Sequence, residues 1–310
     1  MEPTNPLPQT ALWQTKYAAA YMEDDRMVIR YQFPYTKDRE ANLLGAYAIL
    51  PKERMSYYQT LIAMCERNIA ISNYLKSENV PSILTFEHTC QRQEENGVIC
   101  IDCYPDTPGT PITQSYLSGN FTVLTALDIF LRLSHILRDI SKTPMSPVLR
   151  YLDMDDVYLT QENKILLGGF YYAAAEGLPA PPPYLKDAAP VVDRPPELQI
   201  EDAGTDMRIL AKIAWNIFSG LPWDTAHTNE SLRIPPRYAP IPLLKALNIG
   251  LEGYASDCNS FRKRLMAYRK ELAKTDYANQ IIPGCYPHKK TYAFNTKTPP
   301  TPSSEKAESL

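Results

Sequence analysis

Residues 148–173, VLRYLDMDDVYLTQENKILLGGFYYA, hold the densest set of groups able to do chemistry. Asp153, Asp155 and Asp156 stand directly before an apolar run at 157–160. A polar turn at 161–163 separates that run from a second one at 165–167, which ends on Gly168 and Gly169. Carboxylates are hard oxygen donors that suit Mg²⁺. A two-stranded hairpin framed by carboxylates and glycines is the layout of a phosphoryl-transfer site. Other reactive side chains are sparser. Cys100 and Cys103 form one C-x-x-C with no second pair at metal-ligand spacing, so free thiols are expected there rather than zinc. His88 and His135 fall on a strand-like and a helix-like stretch without a Cys or Asp constellation, which suits packing or solvated roles.

The elements that must position these groups follow from hydrophobic periodicity. The front half alternates. TKYAAAYM and RMVIRYQF flank EDD as a hairpin with an acidic tip, and GAYAIL reads as a third strand. Residues 55–76 carry Leu61, Met64, Cys65, Ile69 and Leu75 at helical spacing. SILTFEHTCQ and GVICIDCY alternate around EENG as a second hairpin. The back half is helical. TVLTALDIFLRLSHILRDIS predicts a long amphipathic helix ending before Pro144. TDMRILAKIAWNIFS is apolar nearly all round and predicts a buried helix, stopped by Gly220 and Pro222. PLLKALNIGLEG and SFRKRLMAYRKELAKT predict two more. The expected class is α+β.

Composition excludes several roles. A net charge of -3 over 310 residues gives no basic footprint for nucleic acid. The N-terminal stretch MEPTNPLPQT lacks the basic start and apolar run of a signal peptide, and no apolar stretch reaches membrane-spanning length. Six scattered cysteines suit a reducing, cytoplasmic setting. The 28 prolines crowd residues 1–10, 179–196, 222–242 and the tail, so the ends at 1–10 and 276–310 are expected to be disordered. PAPPPY reads as a stiff linker, with a proline-recognition motif as the alternative, and TPPTPSS as a plain tail or a phosphoacceptor region.

The order of strands, helix, strands and helices resembles the protein-kinase fold over roughly residues 13–274. GTDMRILAKIAWNIFSGLPW is similar to the kinase segment in which an aspartate, here Asp206, opens the central buried helix and bonds amides of the catalytic loop. RPPEL resembles the Ala-Pro-Glu signature, with Glu197 as its glutamate. LRYLDMDDVYL followed by ILLGGF resembles the catalytic and metal-binding loops, and Asp156 and Gly169 keep the thirteen-residue separation of the two metal ligands. The resemblance implies a bilobal kinase-like fold. Its small lobe at 11–103 would hold a five-stranded antiparallel sheet and one helix, and its helical lobe would span 104–275.

The same resemblance implies that the chemistry has been lost. Of the loop His-Arg-Asp, only Arg150 remains, and Tyr151 replaces the base. A phenol with a pKa near 10 accepts a proton poorly at neutral pH. Asp153 stands where a phosphate-binding lysine is usual, and Asp156 replaces the metal-binding asparagine, so it remains a candidate ligand. Gly169 replaces the metal-loop aspartate, and Leu50 the strand lysine, with Lys52 as a displaced alternative. The helix glutamate's position falls near Asn68, with Glu66 half a turn away. The phosphate-covering turn, MEDD, has carboxylates instead of glycines and would repel ATP. Phe170, Tyr171 and Tyr172 are expected to fill the emptied cleft. The expectation is a cytoplasmic pseudokinase, a scaffold or allosteric partner acting through protein contacts, with no cofactor. The alternatives are an atypical phosphotransferase using ATP, Mg²⁺ and the Asp153–Asp156 cluster, and a nucleotide-binding switch without turnover.

Overall fold

The computed structural model describes residues 10–15, 18–33, 51–93, 99–117, 121–150, 152, 154–178, 205–219 and 258–282. Its first hairpin joins β2 (Ala18–Glu23) to β3 (Arg26–Phe33). Asp24 and Asp25, at φ 48° and 61°, make the two-residue turn, with Glu23 paired to Arg26. Two positive φ values in succession give the turn whose twist matches the flanking strands, and aspartate is among the residues that tolerate them. This acidic tip is therefore a tight hairpin turn. One of its carboxylates, Glu23, is engaged by Arg30 at 2.7 Å.

Adding β1 (Trp13–Gln14), β4 (Phe86–Gln93) and β5 (Ile99–Pro105) gives a five-stranded antiparallel sheet in the order β1-β2-β3-β5-β4. The class is α+β. The strands are not the five expected. β3 is hydrogen-bonded to β2 on one edge and β5 on the other, with Ile29 opposite Cys103. Both edges of β3 are thus paired; the other strand expected in the front half is GAYAIL. That stretch, with Leu50, lies outside the described residues. On one face of the sheet, Arg30 of β3 reaches Asp102 of β5 at 2.6 and 3.0 Å, tying three strands through one guanidinium.

α1 runs Pro51–Ser77, beginning earlier than the periodicity suggests. Proline suits the first helical position, where its missing N–H costs nothing. Lys52 thus lies in helical backbone rather than on a strand beside Leu50. Met64, Cys65, Asn68, Ile71, Ser72 and Leu75 are buried at 3.6-residue spacing. The helix ends with Asn79 at φ 57°, while Val80 N–H bonds Leu75 O and Asn79 N–H bonds Lys76 O, which satisfies the last carbonyls.

A three-stranded sheet follows, β6 (Thr110–Pro111), β7 (Val157–Leu159) and β8 (Ile165–Leu167), with a short helix α2 (Ile112–Leu117) after β6. β8 also bonds the stretch leaving α1: Leu167 N–H donates to Ser82 O and Leu84 N–H to Leu167 O, both at 2.8 Å. α3 (Val123–Ile140) opens on Thr122, whose hydroxyl accepts from Thr125 N–H at 3.1 Å. α4 (Thr205–Ser219) buries Ile209, Leu210, Ile213, Ala214 and Phe218, and Phe218 meets Phe130 of α3 at 6.0 Å between ring centroids. α5 (Cys258–Leu272) lies along α3, where Arg269 pairs with Asp128.

Two clusters form the core. One joins α3, α4, α5, the end of α1 and the β7–β8 hairpin. The other lies between the sheet and α1 and includes Trp13, Ile29, Tyr31, Met64, Cys65, Tyr158, Tyr171 and Tyr172. The expected disordered tail begins too early. Residues 276–279 form a short 3-10 turn, Ala278 and Ile282 are buried, and the Ile282 N–H bonds Phe121 O at 2.8 Å beside the start of α3. Likewise β5 continues to Pro105, past the boundary expected at 103. Among the described residues no helix is long and apolar enough to cross a membrane.

Candidate functional site

The site to test lies where α1, the inner face of the sheet and the segment after β8 meet. Strand alternation puts Ile29 and Tyr31 of β3 on the face toward α1, with Arg30 on the other. Helical periodicity turns Asn68 toward the same space, while Glu66 is exposed. The inward helix position therefore belongs to an amide. Asn68 Oδ1 accepts from Phe170 N–H at 2.9 Å, and Asn68 Nδ2 faces the Tyr31 hydroxyl at 3.4 Å. The Tyr31 hydroxyl is in turn 3.4 Å from that of Tyr171. The two rings meet edge to face, 6.4 Å between centroids. One residue earlier on α1, Arg67 donates to Ala173 O at 2.6 Å.

The rest of the space is aromatic. Tyr158 is fully buried and packs against Trp13 at 5.8 Å, and Trp13 donates its indole N–H to Gly109 O at 3.1 Å. Burial pushes the hydroxyls of Tyr31, Tyr158 and Tyr171 well above the ordinary range. Next to burial, the nearby Asp156 carboxylate raises Tyr158, and Tyr31 raises Tyr171. All three are neutral phenols at any physiological pH. Tyr171 and Tyr172 join this cluster, whereas Phe170 turns into the helical core.

The hairpin carboxylates diverge. Asp155 Oδ1 accepts from Thr113 Oγ1 of α2 at 2.6 Å. Asp156 is 5 % exposed and sits against Gly169, which has φ +80°. A Cβ built on Gly169 would fall inside van der Waals distance of Asp156 Cβ and Cγ, and 2.8 Å from its Oδ1. The hairpin causes this approach. Val157 pairs with Leu167, and Gly168 N–H bonds Asp156 O at 2.8 Å, which brings the residues flanking both strands together. The space a residue-169 side chain would use is thus filled by residue 156. Among the described residues, no three His, Cys, Asp or Glu side chains gather as a metal site.

Arg150 is buried with φ 64°. The preceding amide, Leu149 N–H, is bonded at 2.9 Å by Asp206 in the first turn of α4. Burial pushes the Asp206 carboxyl up to about 7, against the opposing pull of the Leu149 and Arg150 amides. Folded protein therefore keeps a proton that the unfolded chain has released. The stability it contributes is complete below about 3.8 and is lost as pH rises through about 7. Urea unfolding from pH 5 to 8 is expected to show this decline, with a slope of at most about 1.4 kcal/mol per pH unit. Asp206→Asn is expected to remove it. An unchanged slope in the variant would exclude Asp206 as the source.

Tyr151, Asp153 and Glu197 lie outside the described residues, and Lys52 is described only as backbone. Cys100 and Cys103, three apart on β5, project from opposite faces and cannot act as a pair; Cys103 instead joins the inner cluster with Cys65. Exposed His88 stacks on Tyr104 at 4.0 Å. Tyr31 was not among the residues the sequence singles out, although the alternation of RMVIRYQF fixes its face. The chain matches no family model and no curated protein.

Proposed function

We propose that this chain has a bilobal protein-kinase-like fold that has lost phosphoryl transfer and acts through protein contacts, as a scaffold or allosteric partner in the cytoplasm. The strand order, with one helix between β3 and β4, supports the fold, as does the Asp206 bond to the loop amide. In that fold a lysine on the strand before the helix pairs with a helix glutamate. The expected lysine position, Leu50, lies outside the described residues; on β3 the inner-face residue that meets the helix is Tyr31, and it faces Asn68. The single observation that supports the reading is this neutral Tyr31–Asn68–Phe170 chain between the sheet and the helix, where no ion pair is seen among the described residues.

The described residues do not fit ATP and Mg²⁺. Buried phenols occupy the interior, Asp155 is engaged by Thr113, and Asp156 blocks a second ligand at residue 169. A thermal-shift series with ATP and Mg²⁺ tests the claim. A nucleotide at a hundred times its Kd would add about 2.7 kcal/mol, worth several degrees in a chain of this size. The expected change at millimolar MgATP is under about 1 °C. A metal-dependent rise of several degrees would favour the nucleotide switch, and phosphoryl transfer abolished by Asp156→Ala would favour the enzyme.

A further inference from the structure

A second feature lies away from the phenol cluster and shares no residue with it. A cavity of about 300 Å³ opens between the stretch leaving α1, the α3 stripe Arg132–His135–Asp139, and Lys164 of the β7–β8 turn. Ile136 and Ile165 give it an apolar floor. Its walls are cationic although the whole chain is acidic. Arg132 and Lys164 line it directly. Arg262 of α5 backs it through His135, at 2.8 Å. The one carboxylate in the wall, Asp139, is bonded by Arg138 at 2.9 Å and Lys142 at 3.3 Å. Glu162 meets Lys164 in a fully exposed pair, which binds weakly and is screened by salt. Five cations thus face two carboxylates.

His135 adds a directed donor. A guanidinium has no acceptor, so Arg262 must donate to His135 Nε2. The ring is then the neutral tautomer with its proton on Nδ1. Burial and, after it, the Arg262 charge hold its pKa below the ordinary range, so it stays neutral at pH 7. Arg132 donates Nη1 to Asn163 O at 2.6 Å, and among the described residues the rest of its fork has no hydrogen-bond partner. Ser82, on the opposite wall, offers a hydroxyl. Donors on three separate elements around an apolar floor match a tetrahedral dianion better than a planar carboxylate.

We propose that this cavity docks a phosphorylated side chain of a partner protein, with the phosphomonoester taken up by Arg132, Lys164 and the His135 ring N–H. An open, surface cavity between three elements admits a side chain projecting from another chain. The proposal stands or falls independently of the nucleotide question, because MgATP is absent from its test.

The test is fluorescence anisotropy of the full chain with a short labelled Gly/Ala peptide carrying one central phosphoserine. Saturable binding is expected, weakening steeply with salt. The serine and glutamate forms of the peptide are expected to bind about tenfold more weakly or worse. Arg132→Gln with Lys164→Gln is expected to cost at least about tenfold. Both side chains are exposed, so the double variant should keep its circular dichroism spectrum, and each single variant supplies the same comparison if it does not. Absence of saturation, equal binding of the glutamate peptide, or unchanged affinity in the folded variants would overturn the proposal. So would inorganic phosphate competing as tightly as the peptide, since the ligand would then be the free ion.

Discussion

Gly169→Ala is expected to lower the unfolding free energy by about 2–5 kcal/mol, measured by urea denaturation. Two terms add. A left-handed backbone costs a residue with a Cβ about 1–2 kcal/mol, and Gly169 is at φ +80°. Overpacking against a fixed neighbour costs about 1–3 kcal/mol more, because the new methyl would meet Asp156. Gly177 separates the terms. It has nearly the same φ, +79°, with nothing within 4 Å of an added Cβ. Gly177→Ala is therefore expected to show only the backbone cost. Equal losses at the two glycines would sink the crowding argument. Removing the Asp156 side chain in the Gly169→Ala background should recover part of the loss, a coupling a double-mutant cycle reads directly. Aspartate at residue 169 would meet the same obstacle, so Gly169→Asp is likewise expected to destabilise the protein.

Asn68→Ala is expected to be comparably damaging, at about 2–4 kcal/mol. The amide serves a buried backbone donor, Phe170 N–H, at 2.9 Å, and alanine leaves it without an acceptor. An unsatisfied buried donor costs about 1–3 kcal/mol, and the lost volume adds a cavity term. Tyr31→Phe removes only hydroxyl contacts at 3.4 Å, which are long for hydrogen bonds between such groups. It is expected to cost under about 1 kcal/mol. If Tyr31→Phe cost as much as Asn68→Ala, the phenol and not the helix amide would be the organising group.

Much of the α+β layout was readable in the chain because each element carries its own period. α3 announces itself by an apolar stripe and α4 by being apolar nearly all round. The β2–β3 hairpin was legible from its acidic turn. Pairing was not. The neighbour of β5 is set by contacts more than sixty residues apart, such as Phe33 with Ile99, which alternation alone does not reveal. The start of α1 was misplaced because the first turn is polar and has no apolar stripe to mark it. Tyr151 and Gly169 stood out through the resemblance read in the sequence, whereas Tyr31 did not, since a tyrosine in a strand is unremarkable until its face is known. The diverging roles of Asp155 and Asp156 depend on Thr113 and Gly169, and adjacency in sequence suggested one cluster where the fold makes two separate contacts.

The ties between the sheet and the β7–β8 hairpin bear on motion. A hinge needs a seam where few groups must change partners as it opens. This seam is stitched by backbone bonds from Leu167 to Ser82 and from Leu84 to Leu167, by Asn68 to Phe170, and by Arg67 to Ala173. Opening it would strip several buried polar groups of their partners at once and uncover the phenol cluster. The two layers are therefore held together by bonds that would have to break together.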